Sequence, residues 1–318
     1  MMIKKLALFI ALLTSLTAIA AEPVDTAWVQ IRIPVACIRE EPRHGSEMSS
    51  QAIMGTPMMI LEDDLGEWVK LKGPDGYEGY MNISSIVRLN QDEMEQWRQS
   101  PRLTVTAMPQ TIMWADTTSF GPRDVVSDLQ NGSIVAGELS KGKFTHVVLP
   151  DFREGWVETK SVTPIEQWAS QPFDSQKILD RAYSLMGTPY LWGGCSPKSV
   201  DCSGLVRVAY YGNGILTLRD ARQQIEIGQR IEPEDTASLR PADLLFFSAE
   251  PEGRITHVAM YDSDGRYVHS SGRVKTNDMT PEDPDFGPRY YRGASRIDGR
   301  IPSEGIWQII GHPWYFKK

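Results

Sequence analysis

The stretch Val200-Asp-Cys-Ser-Gly-Leu-Val-Arg-Val-Ala-Tyr-Tyr211 predicts a helix that begins at a cysteine. Asp201 is of a residue type that caps helix N-termini, so Cys202 should fall in the first helical turn. Unpaired backbone N–H groups and the positive end of the helix dipole stabilise a thiolate at that position. The apolar face that would hold the helix in a core consists of Leu205, Val206, Ala209 and Tyr210. We therefore expect Cys202 to be a candidate nucleophile at the start of a core helix.

Two histidines further along the chain are candidates for the base that such a nucleophile needs. Residues 256–261 alternate as a strand, the Asp-Ser-Asp-Gly sequence at 262–265 predicts a turn, and residues 266–269 form the returning strand. A hairpin that turns about Ser263 would put His257 and His269 opposite each other on one face. His257 would then take the thiol proton, while His269 holds its other ring nitrogen.

Zinc binding is the alternative use of these side chains. Cys195, Cys202, His257 and His269 could supply four ligands, although the two cysteines lack the short spacing of common structural zinc sites. The third cysteine, Cys37, lies in an apolar strand and is expected to be a small buried side chain. Three cysteines in an oxidising compartment leave at least one unpaired.

The first half of the chain contains a repeat. Strand-like alternation at residues 66–71 leads to Gly-Tyr-Met at 79–81, and similar alternation at 142–148 leads to Gly-Trp-Val at 155–157. Each copy is followed by the tripeptide Glu-Gln-Trp, at 95–97 and at 166–168. Two copies of about 70 residues with this pattern resemble bacterial SH3-like barrels. We place the first domain at residues 22–99 and the second at 100–170.

The second half changes character near Pro172. Residues 175–186 have helical periodicity after a cap at Asp174 or Ser175, and the pattern becomes strand-like beyond Pro241. Helices followed by strands indicate an α+β domain, which we place at residues 171–318.

Several motifs of this domain together resemble the NlpC/p60 family of cell-wall cysteine peptidases. They are Gly187-Thr-Pro-Tyr-Leu-Trp-Gly-Gly194, Asp201-Cys-Ser-Gly-Leu205, Pro241-Ala-Asp-Leu-Leu-Phe-Phe247, His257-Val258 and His269-Ser270. The resemblance implies a papain-like fold with Cys202 as the nucleophile, His257 as the base and His269 as the orienting residue. It also implies that Tyr190 helps to hold the oxyanion beside the backbone N–H of Cys202. One departure is Ala242, where the family usually has glycine.

The paired SH3-like domains and Leu218-Arg219-Asp220-Ala221 resemble, more narrowly, γ-D-glutamyl-L-diamino-acid endopeptidases of the dipeptidyl-peptidase VI type. The resemblance implies that residues around the substrate's free amino terminus come from both halves of the chain. The substrate-binding residues that it implies are Asp220, Arg219, Trp192, Ser203, Glu47 and Tyr77. The implied substrate is a murein peptide, L-Ala-γ-D-Glu-L-diamino acid, and neither a metal nor an organic cofactor is implied.

Composition and the first residues bear on location and partners. Lys4 and Lys5 precede an apolar run, and Ala18-Ile19-Ala20 fits a signal-peptidase site, so we expect residues 1–21 to be removed on export to the periplasm or the medium. The chain has 33 Lys and Arg against 41 Asp and Glu, a net charge of −8, which disfavours nucleic acid as a partner. We expect a monomer without a stable membrane anchor.

Two other functions are compatible with these patterns. One is a non-catalytic peptidoglycan-binding protein with an inactive peptidase domain, and the other is an amidase or acyltransferase that uses the same cysteine and histidines. The intact set of Cys202, His257 and His269 favours an enzyme over the first of these.

Overall fold

The computed structural model describes residues 27–317, so the predicted signal peptide lies outside the described residues. The chain folds into two β-domains followed by an α+β domain. The predicted fold class, two all-β SH3-like barrels followed by an α+β papain-like domain, is confirmed in this order.

The first β-domain is a seven-stranded antiparallel sheet with the strand order β3-β2-β6-β5-β4-β1-β7. Its strands are β1 (Trp28–Ile31), β2 (Val35–Arg39), β3 (Met48–Ile53), β4 (Pro57–Leu65), β5 (Trp68–Lys72), β6 (Glu78–Asn82) and β7 (Ile86–Leu89). Helix α1 (Gln91–Gln99) follows, capped by Asn90 and Glu93, which bond each other's backbone N–H groups. The alternating burial of β2 points Ala36 and Ile38 inward. Cys37 is therefore only half-buried, which corrects its expected burial.

The second β-domain repeats this topology, with the strand order β10-β9-β13-β12-β11-β8-β14. Its strands are β8 (Arg102–Val105), β9 (Gln110–Trp114), β10 (Val125–Gln130), β11 (Ile134–Ala136), β12 (Phe144–Val148), β13 (Glu154–Glu158) and β14 (Val162–Pro164). Each strand of this sheet occupies the same position as the strand numbered seven lower occupies in the first sheet. The sequence repeat is therefore also a structural repeat. The two Glu-Gln-Trp tripeptides lie in α1 and in the short helix α2 (Ile165–Ala169).

The α+β domain places its helices before its main sheet. The helices are α3 (Ser175–Tyr183), α4 (Cys202–Tyr211) and α5 (Ala221–Gln224). The main sheet has the order β18-β23-β19-β20-β21-β22, made of β18 (Gln229–Ile231), β19 (Leu244–Ser248), β20 (Ile255–Tyr261), β21 (Arg266–Ser271), β22 (Arg273–Asp278) and β23 (Tyr290–Arg296). Two small sheets pair β15 (Cys195–Ser196) with β16 (Ser199–Val200), and β17 (Ile215–Thr217) with β24 (Ile306–Gln308).

Helix α4 is held against the main sheet by the apolar face that the sequence predicted. Its buried side chains join one core with residues of three central strands, among them Leu244, Phe246, Val258, Met260 and Val268. Burying a side chain of this size stabilises the fold by about 1.5–3 kcal/mol, so this core fixes the start of α4 relative to the sheet.

Two local predictions in this domain are refined. Helix α3 ends at Tyr183, three residues before the predicted end, because Ser184 to Gly187 form turns that lead to Gly187 at φ 83°. Ala242, where glycine was expected, adopts a left-handed φ of 71° and is buried. Its carbonyl accepts a hydrogen bond from the Tyr210 hydroxyl at 2.6 Å, so the turn ties α4 to β19.

The domains are packed against one another. A cluster of buried side chains from the second β-domain and α2, including Ile134, Ile165 and Trp168, meets Leu216 and Tyr315 of the α+β domain. Between residues 27 and 317, no helix is both long and apolar enough to span a membrane.

Candidate active site

Helix α4 begins at Cys202, as the sequence predicted. The side chain of Asp201 accepts a hydrogen bond from the backbone N–H of Gly204 at 2.7 Å and so caps the helix. Gly204, in the first turn of this helix, packs tightly against the loop that precedes it. A Cβ on Gly204 would lie 1.9 Å from the carbonyl oxygen of Gly194. Only glycine fits there, and the close contact fixes the loop at 190–194 beside the nucleophile.

Asp201 also organises the residues around the helix start. One of its oxygens accepts from the backbone N–H of Gly193 at 3.0 Å, and the Arg219 guanidinium donates to both oxygens at 2.5 and 3.1 Å. Arg219 further donates to the hydroxyls of Ser203 and of Ser50 in the first β-domain. This bidentate, buried network joins the helix, the loop and the first β-domain.

The network corrects two predicted substrate contacts. The Arg219 side chain is 1% exposed and its donors point to Asp201, Ser203 and Ser50, so it is a structural link and does not line the cleft. The Ser203 hydroxyl is likewise buried between Asp201 and Arg219. Both residues hold the nucleophile helix in place, and neither presents its side chain to a substrate.

The Cys202 thiol is 8% exposed. Burial, and secondarily the Asp201 carboxylate, raise its pKa to about 11, although backbone hydrogen bonds from Val258 and Ser203 act in the opposite direction. The expected thiolate is therefore corrected: the resting thiol is protonated at neutral pH. A nearby base must remove this proton before attack on a carbonyl.

The two histidines meet, but in a different register from the predicted one. Met260 pairs with Val268 and Tyr261 with Tyr267, so the hairpin is centred on Asp264 rather than Ser263. Asp264 and Gly265 both have positive φ, 52° and 80°, the geometry that an Asp-Gly turn favours. In this register His269 falls opposite Ala259, and His257 is its diagonal neighbour on the same face. The Nε2 atom of His257 lies 2.9 Å from Nδ1 of His269.

The chain of hydrogen bonds from His257 to His269 continues to two residues, Asn277 and Asp283, that the sequence did not reveal. His269 Nε2 lies 2.8 Å from Asn277 Oδ1, and the Asn277 amide donates to both oxygens of Asp283 at 2.8 and 2.7 Å. Asp283 thereby fixes which atom of Asn277 faces the ring. Burial would raise the pKa of Asp283, but these bonds and three backbone N–H groups lower it to about 2, so it stays ionised.

This chain of hydrogen bonds determines the histidine tautomers. Because Asn277 Oδ1 can only accept, His269 carries its proton on Nε2 and accepts at Nδ1. His257 must then donate from Nε2, which leaves its Nδ1 unprotonated. Val258, the residue after His257, directs its backbone N–H to the Cys202 sulfur. The arrangement therefore leaves an unprotonated Nδ1 on His257, the residue that precedes Val258 in β20.

Burial and nearby cations keep this base neutral. Burial lowers the pKa of His257 well below its ordinary value, and the charges of Arg289, His269 and Lys275 lower it further. Burial also lowers the pKa of His269 to about 4, against the raising effect of its bond to Asn277. At neutral pH the site therefore holds a neutral Cys202 thiol and a neutral His257 imidazole.

Tyr190 and Trp192 occupy the loop that faces the helix start. The backbone N–H of Tyr190 donates to Gly272 at 3.0 Å, which ties this loop to the end of β21. Burial, followed by the charges of Cys202 and Asp201, raises the pKa of the Tyr190 hydroxyl, which keeps its proton and remains a donor. Trp192 is 62% exposed on the same loop. Their predicted roles in oxyanion and substrate binding remain predictions.

The first β-domain forms one end of the site. The Met48 carbonyl lies against Gly193, and the Gln51 side chain accepts from Cys195 N and the Ser196 hydroxyl at 3.0 and 2.8 Å. Burial raises the pKa of Tyr77, and the charges of Asp220, Arg219 and Glu40 also act on it.

The charge of Asp220 in the α+β domain therefore reaches the Tyr77 phenol, and so does that of Glu40, which no motif indicated. The predicted contacts of Tyr77 and Asp220 with substrate remain predictions. Glu47 is exposed and, within residues 27–317, forms no ion pair or side-chain hydrogen bond, although the adjacent Met48 meets the loop. Its predicted contact with substrate is not supported by this placement.

The zinc alternative requires Cys195 beside the histidines. The described residues contain no group of three or more His, Cys, Asp or Glu side chains arranged to hold a metal ion. Cys195 instead lines a cavity of about 60 Å³ between the first β-domain and α4, together with Asp75 and Arg207. All three cysteines are free thiols.

The acceptor oxygen of Asn277 is expected to set the tautomers of both histidines. We expect Asn277→Ala to lower kcat by about 10- to 100-fold with little change in KM, because His269 is released to the other tautomer and His257 loses its unprotonated Nδ1. Asn277→Asp keeps an acceptor and should recover part of the loss. The measurement is a set of pH–rate profiles, with Thr276→Ala on the same strand as the control. Equal loss in the Ala and Asp variants, with lowered thermal stability, would indicate a purely structural role.

Comparisons with known proteins are consistent with this geometry. The NlpC/P60 family model matches residues 187–288, and the bacterial dipeptidyl-peptidase Sh3 domain model matches residues 38–86. Dipeptidyl-peptidase 6 of Lysinibacillus sphaericus is 26% identical over 261 residues, covering 79% of this chain and 91% of that relative. A gamma-D-glutamyl-L-lysine dipeptidyl-peptidase of Bacillus cereus is 25% identical over 263 residues, covering 80% of this chain and 76% of the relative.

Solved structures show the same fold. An NlpC/P60 family protein from Bacillus cereus superposes with a TM-score of 0.72 at 21% identity, over 85% of this chain and 99% of that one. An NlpC/P60 endopeptidase from Photobacterium damselae gives a TM-score of 0.62 at 17% identity, over 86% of this chain and 72% of that one. The likeness therefore covers the β-domains as well as the α+β domain.

Proposed function

We propose a substrate for this cysteine peptidase. Its bacterial dipeptidyl-peptidase SH3 domain precedes its NlpC/P60 family domain in the chain. The enzyme hydrolyses the bond between γ-D-glutamate and the L-diamino acid in murein peptides that begin with a free L-Ala. The reaction belongs to the turnover of cell-wall peptides outside the cytoplasm. The proposal of export rests on the sequence of residues 1–21 alone.

The site supports acyl transfer through a thioester. His257 Nδ1 takes the proton from Cys202, and the sulfur bonds to the γ-carbonyl carbon while an electron pair moves onto the oxygen. The Cys202 N–H and the Tyr190 hydroxyl are the donors for that oxyanion. When the tetrahedral intermediate collapses, the C–N bond breaks and the leaving amine takes the proton from His257. Water, deprotonated by His257, then hydrolyses the thioester and restores the thiol.

The observation that carries the choice of substrate is the acidic end of the site. Asp220 is half-buried at the N-terminus of α5, and its charge acts on the Tyr77 phenol from across the domain interface, while Glu40 acts on the same phenol from within the first β-domain. Arg222 contacts Asp220 from a side chain that is 73% exposed, so this partner neutralises it weakly. Two carboxylates and a phenol at one end of a cleft are suited to an ammonium group, here the free amino terminus of L-Ala. The names of the relatives support the γ-D-glutamyl linkage.

The test compares L-Ala-γ-D-Glu-L-Lys with its N-acetylated form. We expect the wild type to prefer the free amine by about 10- to 100-fold in kcat/KM, because acetylation removes the charge and leaves a carboxylate unpaired at a cost of roughly 1–3 kcal/mol. Asp220→Ala should lose most of this preference, mainly through slower cleavage of the free peptide. Separation of L-Ala-γ-D-Glu from lysine gives the rates.

The control for this experiment is Glu226→Ala, which removes an exposed carboxylate of the same domain and should keep the wild-type preference. Equal wild-type rates on the two peptides would contradict the proposal, because the amino terminus would then not be recognised. Cleavage of intact, lactyl-linked murein stems at the same rate would lead to the same conclusion.

A further inference from the structure

Arg289 places its guanidinium near the hydrogen-bonded pair of His257 and His269. One of the guanidinium nitrogens has no hydrogen-bond acceptor among the described residues. Its Nη2 atom donates to the Ser271 hydroxyl at 3.2 Å, whereas its Nη1 atom is buried without a hydrogen-bond partner among the described residues. A buried guanidinium donor without a partner is costly, so its retention calls for a partner that arrives with a ligand. The side chain is 25% exposed although Nη1 itself is buried, so a ligand would reach the guanidinium through its exposed part.

The local acid pairs more closely with Lys275 than with Arg289. Asp285 forms an ion pair with Lys275 and accepts from the Ser271 hydroxyl at 3.1 Å, while its oxygen lies 3.8 Å from Arg289 Nη2. Lys275 and Asp285 therefore form the closer pair, and Arg289 is linked to Asp285 mainly through Ser271. Asp285 is thus shared between Lys275 and Arg289, and the other nearby carboxylate, Asp283, is occupied by the Asn277 amide and by backbone N–H groups.

The position of the Arg289 guanidinium in the site is set by its neighbours. Ser271 ends β21, and the adjacent Gly272 carbonyl accepts from the backbone of Tyr190. His269 and Lys275 are cross-strand partners in β21 and β22, and Lys275 pairs with Asp285, whose oxygen lies 3.8 Å from Arg289 Nη2. Arg289 and Lys275 therefore lie on the side of the site that holds His269.

The chemistry of the reaction says which substrate group lies on this side of the site. His257 must reach the leaving nitrogen, because it gives that nitrogen its proton. In a tripeptide, the α-carboxylate of the diamino acid is attached to the carbon next to this nitrogen. The carboxylate therefore lies beside the base when the proton is transferred, on the side away from the L-Ala ammonium.

We propose that Arg289, supported by Lys275, binds the free α-carboxylate of the leaving diamino acid. The inference rests on the proposed function, since it takes the γ-D-glutamyl-diamino-acid bond as the one that is cleaved. An Arg donor matches a carboxylate in charge and geometry. The enzyme then selects peptides that end at the diamino acid, and a carboxypeptidase-type reaction that removes following residues must supply them.

The experiment compares L-Ala-γ-D-Glu-L-Lys with the same peptide as a C-terminal carboxamide, using the wild type and Arg289→Gln. We expect the wild type to cleave the acid about 10- to 100-fold faster in kcat/KM than the amide, since the amide offers no charge and leaves the guanidinium unpaired. In Arg289→Gln the acid should fall to the rate of the amide, and the amide should keep its rate. Arg289→Lys should retain part of the preference.

Arg266→Gln is the matched control, because Arg266 is an exposed arginine of the same sheet with one distant partner at 4.0 Å. It should keep the wild-type preference for the acid. Equal wild-type rates on acid and amide, or equal slowing of both by Arg289→Gln, would overturn the inference while leaving the proposed function in place. Failure of the wild type to cleave either peptide would overturn the proposed function, and the inference with it.

Discussion

Replacing Cys202 by serine is expected to reduce kcat for L-Ala-γ-D-Glu-L-Lys by about 10⁴-fold or more. The thiol is already held neutral, with a pKa of about 11, and a serine hydroxyl gives up its proton far less readily. A base whose own pKa is lowered by burial cannot make up that difference. The substitution is nearly isosteric and Asp201 still caps the helix, so the fold should be retained. Single-turnover assays and thermal melting measure the two effects separately.

Two other cysteines provide controls for this variant. Cys195→Ser lies at the cavity beside the first β-domain, and Cys37→Ser lies half-exposed in β2. Both should keep activity within about threefold of the wild type, because neither thiol takes part in the reaction. Substantial hydrolysis by Cys202→Ser would show that the nucleophile lies elsewhere.

The parts of the site that the sequence predicted are those specified by local chemistry. The start of α4 follows from Asp201 as a cap and from the apolar face behind it, and both are properties of neighbouring residues. The topological repeat of the β-domains follows from two matching patterns of alternation and glycine turns. The pairing of His257 with His269 required only a tight turn that puts both side chains on one face of the sheet. The pairing was therefore predicted correctly although the centre of the turn was predicted one residue too early.

The parts that could not be predicted depend on contacts between distant segments. Asn277 and Asp283 act on His269 through a strand and a loop whose positions no local pattern sets. Arg289 and Glu40 lie in segments without a motif, and their closeness to the site follows only from the packed fold. Arg219 was predicted to contact the substrate, whereas its burial against Asp201 and Ser50 depends on the docking of the first β-domain.

The two ends of the site together favour a zwitterionic peptide of fixed length. Asp220 and Glu40 are proposed to bind the ammonium of the substrate, and Arg289, supported by Lys275, to bind its carboxylate. A longer chain at either end would replace a charge with an amide and leave a buried partner group unsatisfied. On this proposal the enzyme processes released wall peptides in preference to intact wall.

The second large effect is expected at the base. We expect His257→Ala to lower kcat by about 10³- to 10⁴-fold, because the neutral thiol then has no acceptor and the leaving amine has no proton donor. His269→Ala should cost less, about 10- to 100-fold, since it orients the base and does not contact the reacting atoms. In the wild type the lowered pKa of His257 means that the base stays unprotonated until the pH falls below that value. The acidic limb of kcat/KM should therefore lie below pH 6.5, the ordinary value for histidine.

His146 supplies the control for this prediction, because it is a half-exposed histidine of the second β-domain paired with Glu154 and far from His257 and His269 in the fold. His146→Ala should leave both kcat and its pH dependence unchanged. If His257→Ala and His269→Ala both kept wild-type rates while a chelator abolished activity, a metal-dependent reaction would replace the thiol mechanism. If instead the acidic limb lay well above pH 6.5, the imidazole would be more basic than its burial allows, and the resting site would hold a thiolate–imidazolium pair.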